Sequence, residues 1–233
     1  LHGRYPAILQ DEKVGVEALC HVHTPRSFNS GFLFRVDPLP GSRAVIVILS
    51  AVEPNWNYAF RNAEYLLAAP PSRPRPLNLN IDTGSQFRFH LLANPVRKVS
   101  RKSQDGLGGI LGEKWIGKHV PVPSKEEELR RWLARRAEPE WRPAQSSEDK
   151  QFLPGFQLIK ITGIQTGYVY WNKTNDIGKG QQFRSVRYDG VLEVTNPDHF
   201  RKTLIRGIGP AKAFGFGLLS IAPIDQRKPS AAA

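Results

Sequence analysis

The segment NPDHFRKTLIRGIGP, residues 196–210, sets both ends of a helix and so constrains what must surround it. Asn196 is a good N-cap, and Pro197 suits the first helical position, where its missing N–H would have no partner anyway. Phe200, Leu204 and Ile208 recur along one face, and Gly209 with Pro210 ends the run. The chain then passes through a turn dense in glycine, GIGPAKAFGFG, into an apolar strand-like stretch, LLSIAP, ending at residue 223.

The same alternation of element types extends upstream. SKEE at 124–127 is a capping box that opens a second helix, with Leu129, Trp132 and Leu133 at helical spacing. Strand-like runs occupy FLFRV (32–36), AVIVILSAV (44–52), QFRFHLLA (86–93), FQLIKITGI (156–164), TGYVYW (166–171), FRSVRYDGVLEV (183–194) and GLLSIA (217–222). Several alternate apolar with polar or basic residues, the period of a sheet covered on one face. From residue 86 the order is therefore strand, helix, strand, strand, helix, strand, which is the split βαβ order.

Weaker traces of that order occupy the first 80 residues, and the Pro-rich PPSRPRPLNLN (70–80) reads as a connector. The expected fold class is α+β, built as two tandem ferredoxin-like (RRM-like) βαββαβ domains. The first spans residues 1–80, the second 81–225 with the glycine-rich loop, and 226–233 form a flexible tail. Residues 100–114 and 137–151 read as loops.

Charge narrows the function. Lys and Arg number 33 against 21 Asp and Glu, a formal net charge of +12, so the expected partner is a polyanion. Nucleic acid and an anionic membrane are the two classes to weigh. No apolar run approaches the roughly 18 residues of a membrane span and no leader pattern opens the chain, so no membrane partner and a cytoplasmic location are expected. Cys20 is the only cysteine, which excludes an intrachain disulfide and a cysteine zinc cage. CHVH at 20–23 resembles a metal fragment, yet ligands so close in sequence do not easily surround one ion, and no second cluster accompanies them; no metal is expected.

Glycine beside lysine first suggests a nucleotide loop at 207–217. A phosphate-binding P-loop, however, runs strand, glycine loop, helix, with Ser or Thr after the lysine. Here the turn follows a helix and precedes a strand, and Lys212 is followed by Ala213. Helix termination and close backbone approach account for the glycines and leave Lys212 without a role.

GIGPAKAFGFGLLSIAP resembles the C-terminal glycine-rich loop and last strand of the CRISPR RNA-processing endoribonucleases, specifically the CasE subunits of type I-E Cascade. FLFRVDP (32–38), EPNW (53–56), FRFHLLANPVRK (87–98), EEELRRWLARRA (126–137) and YDGVLEVTNP (188–197) match the same family in the same chain order. The resemblance implies two ferredoxin-like domains and metal-independent cleavage of repeat RNA just 3′ of a stem-loop, without a cofactor. In it the 2′-hydroxyl attacks the scissile phosphate, leaving a 2′,3′-cyclic phosphate and a 5′-hydroxyl. The implied partners are the CRISPR repeat RNA and its crRNA product, other Cascade subunits and, through the complex, target DNA.

By the same resemblance the catalytic histidine belongs on the first helix, in a Leu-His or Met-His pair. LHG at 1–3 fits that pair and makes His2 the first candidate, with an initial strand then missing; the absence of methionine fits a truncated start. If PAIL (6–9) is instead the first strand, His21 or His23 takes the role. Tyr5 is a candidate for an assisting hydroxyl. His90, His119 and His199 read as ordinary strand, loop and helix residues.

RNA contact is expected from RKVSRK, with Arg97, Lys98, Arg101 and Lys102, and from the hairpin tip at 172–182, with Lys173 and Lys179. The strand after that tip adds Arg184 and Arg187. Around the glycine-rich turn the candidates are Arg206, Gly207, Gly209, Lys212, Gly215 and Gly217, where backbone and lysine can approach phosphate. Two other readings compete: a non-catalytic subunit that binds the hairpin, and an RRM-type protein with paired aromatics on central strands. For the latter YVYW (168–171) is the only candidate.

Overall fold

A computed structural model describes residues 32–41, 43–59, 67–77, 80–99, 113–137, 154–171 and 181–224. It opens on an antiparallel hairpin of β1 (Phe32–Leu39) and β2 (Arg43–Ser50), followed by one helical turn, α1 (Trp56–Ala59). The Pro-rich stretch is neither helix nor strand in its described residues, 70–77 and 80. Next come β3 (Gln86–Ala93), the short pair β4 (Val96–Lys98) and β5 (His119–Pro121), and α2 (Glu126–Ala137). β6 (Phe156–Trp171), β7 (Gln181–Val194), α3 (Pro197–Arg206) and β8 (Leu219–Pro223) complete the order.

Four strands form one sheet in the order β6-β7-β3-β8, with every neighbouring pair antiparallel. β7 lies between β3 and β6, as the split βαβ order requires. The two runs at 156–164 and 166–171 are a single strand that absorbs register shifts after Leu158 and Ile161. β6 and β7, at 16 and 14 residues, outrun the eight residues of β3 and project as a two-stranded arm.

Alternation sorts each strand between two faces. Phe87, Phe89, Leu91 and Ala93 of β3 and Val186, Tyr188, Leu192 and Val194 of β7 point to the core. Leu129, Trp132 and Leu133 of α2 and Phe200 and Leu204 of α3 pack into that same core. Each large apolar side chain so buried stabilises by roughly 1.5–3 kcal/mol before entropy is counted. Tyr188 stacks on Trp132 with ring centroids 6.1 Å apart and donates its hydroxyl to the Leu129 carbonyl at 3.1 Å. Burial pushes its phenol pKa upward, partly offset by the Arg136 guanidinium. No helix among the described residues is long and apolar enough to cross a membrane.

Candidate nucleic-acid interface

α3 begins as expected, with the Asn196 side chain accepting a hydrogen bond from the His199 N–H at 3.0 Å, but it ends earlier than Gly209. Gly207 is the cap: at φ 71 it donates its N–H to the Thr203 carbonyl at 2.8 Å. This releases Ile208 from the helix, and its N–H bonds the Gly217 carbonyl at 2.9 Å while its side chain enters the core. Gly217 in turn donates to Leu92 at 2.8 Å. The turn is thus stapled to its own two ends and to β3.

Glycine is required at Gly207 for space as well as for φ. A Cβ there would lie 2.8 Å from the Gly217 carbonyl oxygen and 2.8 Å from Leu33 Cδ1. A Cβ on Gly209 would meet the Trp132 ring at 3.0 Å, one on Gly215 the Phe34 ring at 3.1 Å, and one on Gly217 the Ile208 carbonyl oxygen at 2.9 Å. The four candidate glycines therefore seat the turn against α2, its own helix exit and β1, a packing role shown directly.

Between them runs the short 3₁₀ turn Lys212–Phe214, entered through Ala211 at φ 63. Lys212 is half-buried, and burial together with the charge of Arg206 holds its ammonium pKa below the ordinary lysine value. Two cations thus act on each other at one turn, and the charge of a phosphate placed there would offset both the cost of burial and the repulsion. Phe214 meets Phe183 of the β6–β7 arm at 4.4 Å between ring centroids, and Phe216 meets the same ring at 6.2 Å. Turn and arm are in contact.

Arg184 and Arg187 separate, since one position is even and the other odd along β7. Arg184 donates to the Val122 carbonyl at 2.6 Å and to the Tyr168 hydroxyl at 3.1 Å, its guanidinium 5.6 Å from the Tyr168 ring centre. Arg187 stands on the opposite face and donates to Asp189 Oδ2 at 2.9 Å, while His90 Nδ1 lies 2.8 Å from Asp189 Oδ1. Burial raises the Asp189 pKa, but hydrogen bonds and charge from His90 and Arg187 outweigh it and hold the carboxyl below its usual range.

Arg97 is half-buried and Lys98 exposed on β4, where Lys98 stands opposite His119 of β5. His119 is thus a strand residue and not a loop residue. Lys118, which sequence reasoning passed over, joins this ribbon with its ammonium 5.4 Å from the Trp115 ring centre; the only cue was WIGK folding back over a glycine at φ 81. Arg35 was also missed. Its guanidinium is buried, donates twice to Asp37 at 2.7 and 2.9 Å, and reaches the Ser220 hydroxyl of β8 at 2.7 Å. Tyr168 and Tyr170 are exposed, but β6 is an edge strand, so the pair does not sit where an RRM presents its aromatics. His2, Tyr5, Cys20, His21, His23, Arg101, Lys102, Lys173 and Lys179 lie outside the described residues.

These features define an α+β protein with an antiparallel sheet, a long two-stranded arm and a basic glycine-rich turn packed against it. The chain belongs to the CRISPR-associated protein family, whose model matches residues 16–223. It is similar to the CRISPR-associated endoribonuclease Cse3 of Thermus thermophilus, with 29% identity over 201 residues covering 82% of this chain and 79% of that protein. It is also similar to the Cascade subunit CasE of Escherichia coli K12, with 28% identity over 155 residues and 65% of each chain covered. Among solved structures, Thermus thermophilus Cse3 bound to an RNA representing a pre-cleavage complex matches with a TM-score of 0.58 and 25% identity over 96% of both chains.

Proposed function

We propose that this protein is an endoribonuclease of the Cse3 and CasE kind, which binds the CRISPR repeat stem-loop, cuts the precursor at the 3′ base of the stem and stays on the crRNA within Cascade. The observation that carries this reading is the packed unit of basic turn and arm, with Lys212 and Arg206 brought together and Phe214 against Phe183. Its support from kinship is that Cse3, a relative at 29% identity, is an endoribonuclease. Through Cascade the chain would meet other protein subunits and, indirectly, target DNA.

In this reading the chain is two ferredoxin-like units in tandem, 1–80 and 81–225, with the β1–β2 hairpin in the first. The catalytic histidine is His2, with His21 and His23 as alternatives and Tyr5 as an assisting hydroxyl. A base takes the proton of the 2′-hydroxyl, the oxygen attacks phosphorus, and the bond to the 5′-oxygen breaks as an acid protonates it. The products are a 2′,3′-cyclic phosphate and a 5′-hydroxyl, and side chains alone can carry both proton transfers, each contributing typically 10²–10⁴ in rate. Phosphate contacts fall to Lys212 and Arg206 at the turn, to Arg184 and Arg187, to Arg97, Lys98, Arg101 and Lys102, and to Lys173 and Lys179 at the arm's tip.

The test is to incubate the protein with its cognate repeat hairpin in EDTA. Cleavage that is lost in His2→Ala is the expected result; full activity in His2→Ala with a dead His21→Ala or His23→Ala moves the role to that histidine. Binding without cleavage by the unmodified chain means a hairpin-binding subunit without catalysis. Absence of preference for the hairpin overturns both.

A further inference from the structure

The face of the four-stranded sheet turned away from α2 and α3 has a composition unlike that of a face meant for packing. From β3 it presents Gln86, Arg88, His90 and Leu92, and from β7 Arg187, Asp189, Val191 and Glu193. β6 adds Gln157, Lys160 and Gln165, and β8 adds Ala222 and, where β1 reaches the edge of this face, Ser220, whose hydroxyl accepts from the buried Arg35. Arg88, Lys160 and Arg187 are exposed. A sheet face that buries against a second layer reads as alternating apolar residues, and this one does not.

The charges on it are arranged unevenly. Both carboxylates are engaged: Glu193 accepts from Gln86 at 2.9 Å and from Gln157 at 3.0 Å, and Asp189 is held between His90 and Arg187. Arg88 and Lys160 make no ion pair among the described residues, whereas Arg130 and Arg131 on the exposed side of α2 are paired with Glu126, Glu127 and Glu128. Arg88 and Lys160 flank Val191 in one row across the sheet, so their Cα atoms are about 10 Å apart, and Arg187 stands four residues along β7, about 13 Å away. Arg88 and Lys160 thus stand on either side of Val191, and the next row, His90, Asp189 and Gly163, separates them from Arg187, with the Asp189 carboxylate held by His90 and Arg187.

We propose that this face, turned away from α2 and α3, is a second RNA-contact surface, where Arg88, Lys160 and Arg187 receive phosphates of single-stranded repeat nucleotides flanking the hairpin. The proposal rests on the hairpin-binding function above and adds Arg88 and Lys160, which stand on the same face as Arg187, to the contacts named there. The flat face suits an unpaired strand, which can spread its phosphates over separated cations, better than a duplex groove. His90 and Asp189 fix the direction of Arg187, and Arg88 and Lys160 act as point charges.

The experiment compares two RNAs, the bare repeat hairpin and the hairpin with single-stranded repeat extensions on both sides, each lacking the attacking 2′-hydroxyl so that it is not cut. Wild-type protein and an Arg88→Gln/Lys160→Gln variant are titrated with both across a salt series. The expected result is that the extensions tighten binding to the wild type, that the variant loses this increment, and that it binds the bare hairpin as the wild type does. Its log–log salt slope for the extended RNA should be shallower by about 1.4, at about 0.7 per lost single-strand phosphate contact. If the extensions add nothing to wild-type binding, or the variant keeps the whole increment, the inference is overturned while hairpin recognition stands. If the wild type shows no preference for the hairpin, the functional reading itself fails, a separable outcome.

Discussion

Asp189 shows how one residue can tie a sheet's surface chemistry to pH. Its folded pKa lies below the unfolded value because the hydrogen bonds and charges of His90 and Arg187 outweigh the cost of burial. A depressed carboxylate contributes stability that is present above its unfolded pKa and lost as pH falls through the folded one. The thermal midpoint should therefore drop on acidification below about pH 4, and Asp189→Asn should flatten that part of the profile. A variant profile parallel to the wild type would remove Asp189 from the acid response. The parity of Arg184 and Arg187 was legible in sequence, since even and odd positions of a strand face opposite ways. The partners were not: His90 and Asp189 lie 99 positions apart and meet through a register that no local pattern encodes.

Among the elements, α3 and its exit decide how the molecule closes. Its start was readable from Asn196 and Pro197, and its stop was misplaced by two residues, because Gly207 and Gly209 both take positive φ and only the hydrogen bond to Thr203 tells them apart. Gly207→Ala should cost about 1–3 kcal/mol for the backbone alone, since φ 71 with ψ 169 is a conformation almost confined to glycine. The crowding against the Gly217 carbonyl and Leu33 adds to that, so urea unfolding should show a lower midpoint with an unchanged slope. A midpoint within error of the wild type would mean that the turn re-forms around the new methyl group. β6 was legible only in pieces, since Gly163, Gly167 and its irregular pairing interrupt the alternation that marked β3 from end to end.

For the whole molecule, the question is what joins the first hairpin to the main sheet. A two-stranded hairpin is marginal alone. Here Leu33 and Phe34 fit over Gly207 and Gly215, and Arg35 spans from Asp37 to Ser220 with its side chain only 8% exposed. Arg35→Ala removes that bridge and should raise amide exchange in β1 and β2 at least severalfold while leaving β3 and β7 protected; equal acceleration everywhere would mean that the hairpin is not a separate cooperative unit. The fold of the second half was legible because its helices carry caps and its strands alternate. This junction was not, because a buried arginine inside FLFRV looks the same in sequence as an exposed one.

The contact between Phe183 and Phe214 has a mechanical meaning. β6 extends past the pairing with β3 only from Thr166 to Trp171, about 20 Å at a strand's rise per residue, and an arm of that length without side support would swing whatever it grips. The ring pair, three residues out from the last pairing with β3, clamps the arm to the turn that carries Lys212. Arm and turn then behave as the two jaws of a fixed caliper, and the span between them is a property of the protein that any bound strand has to match.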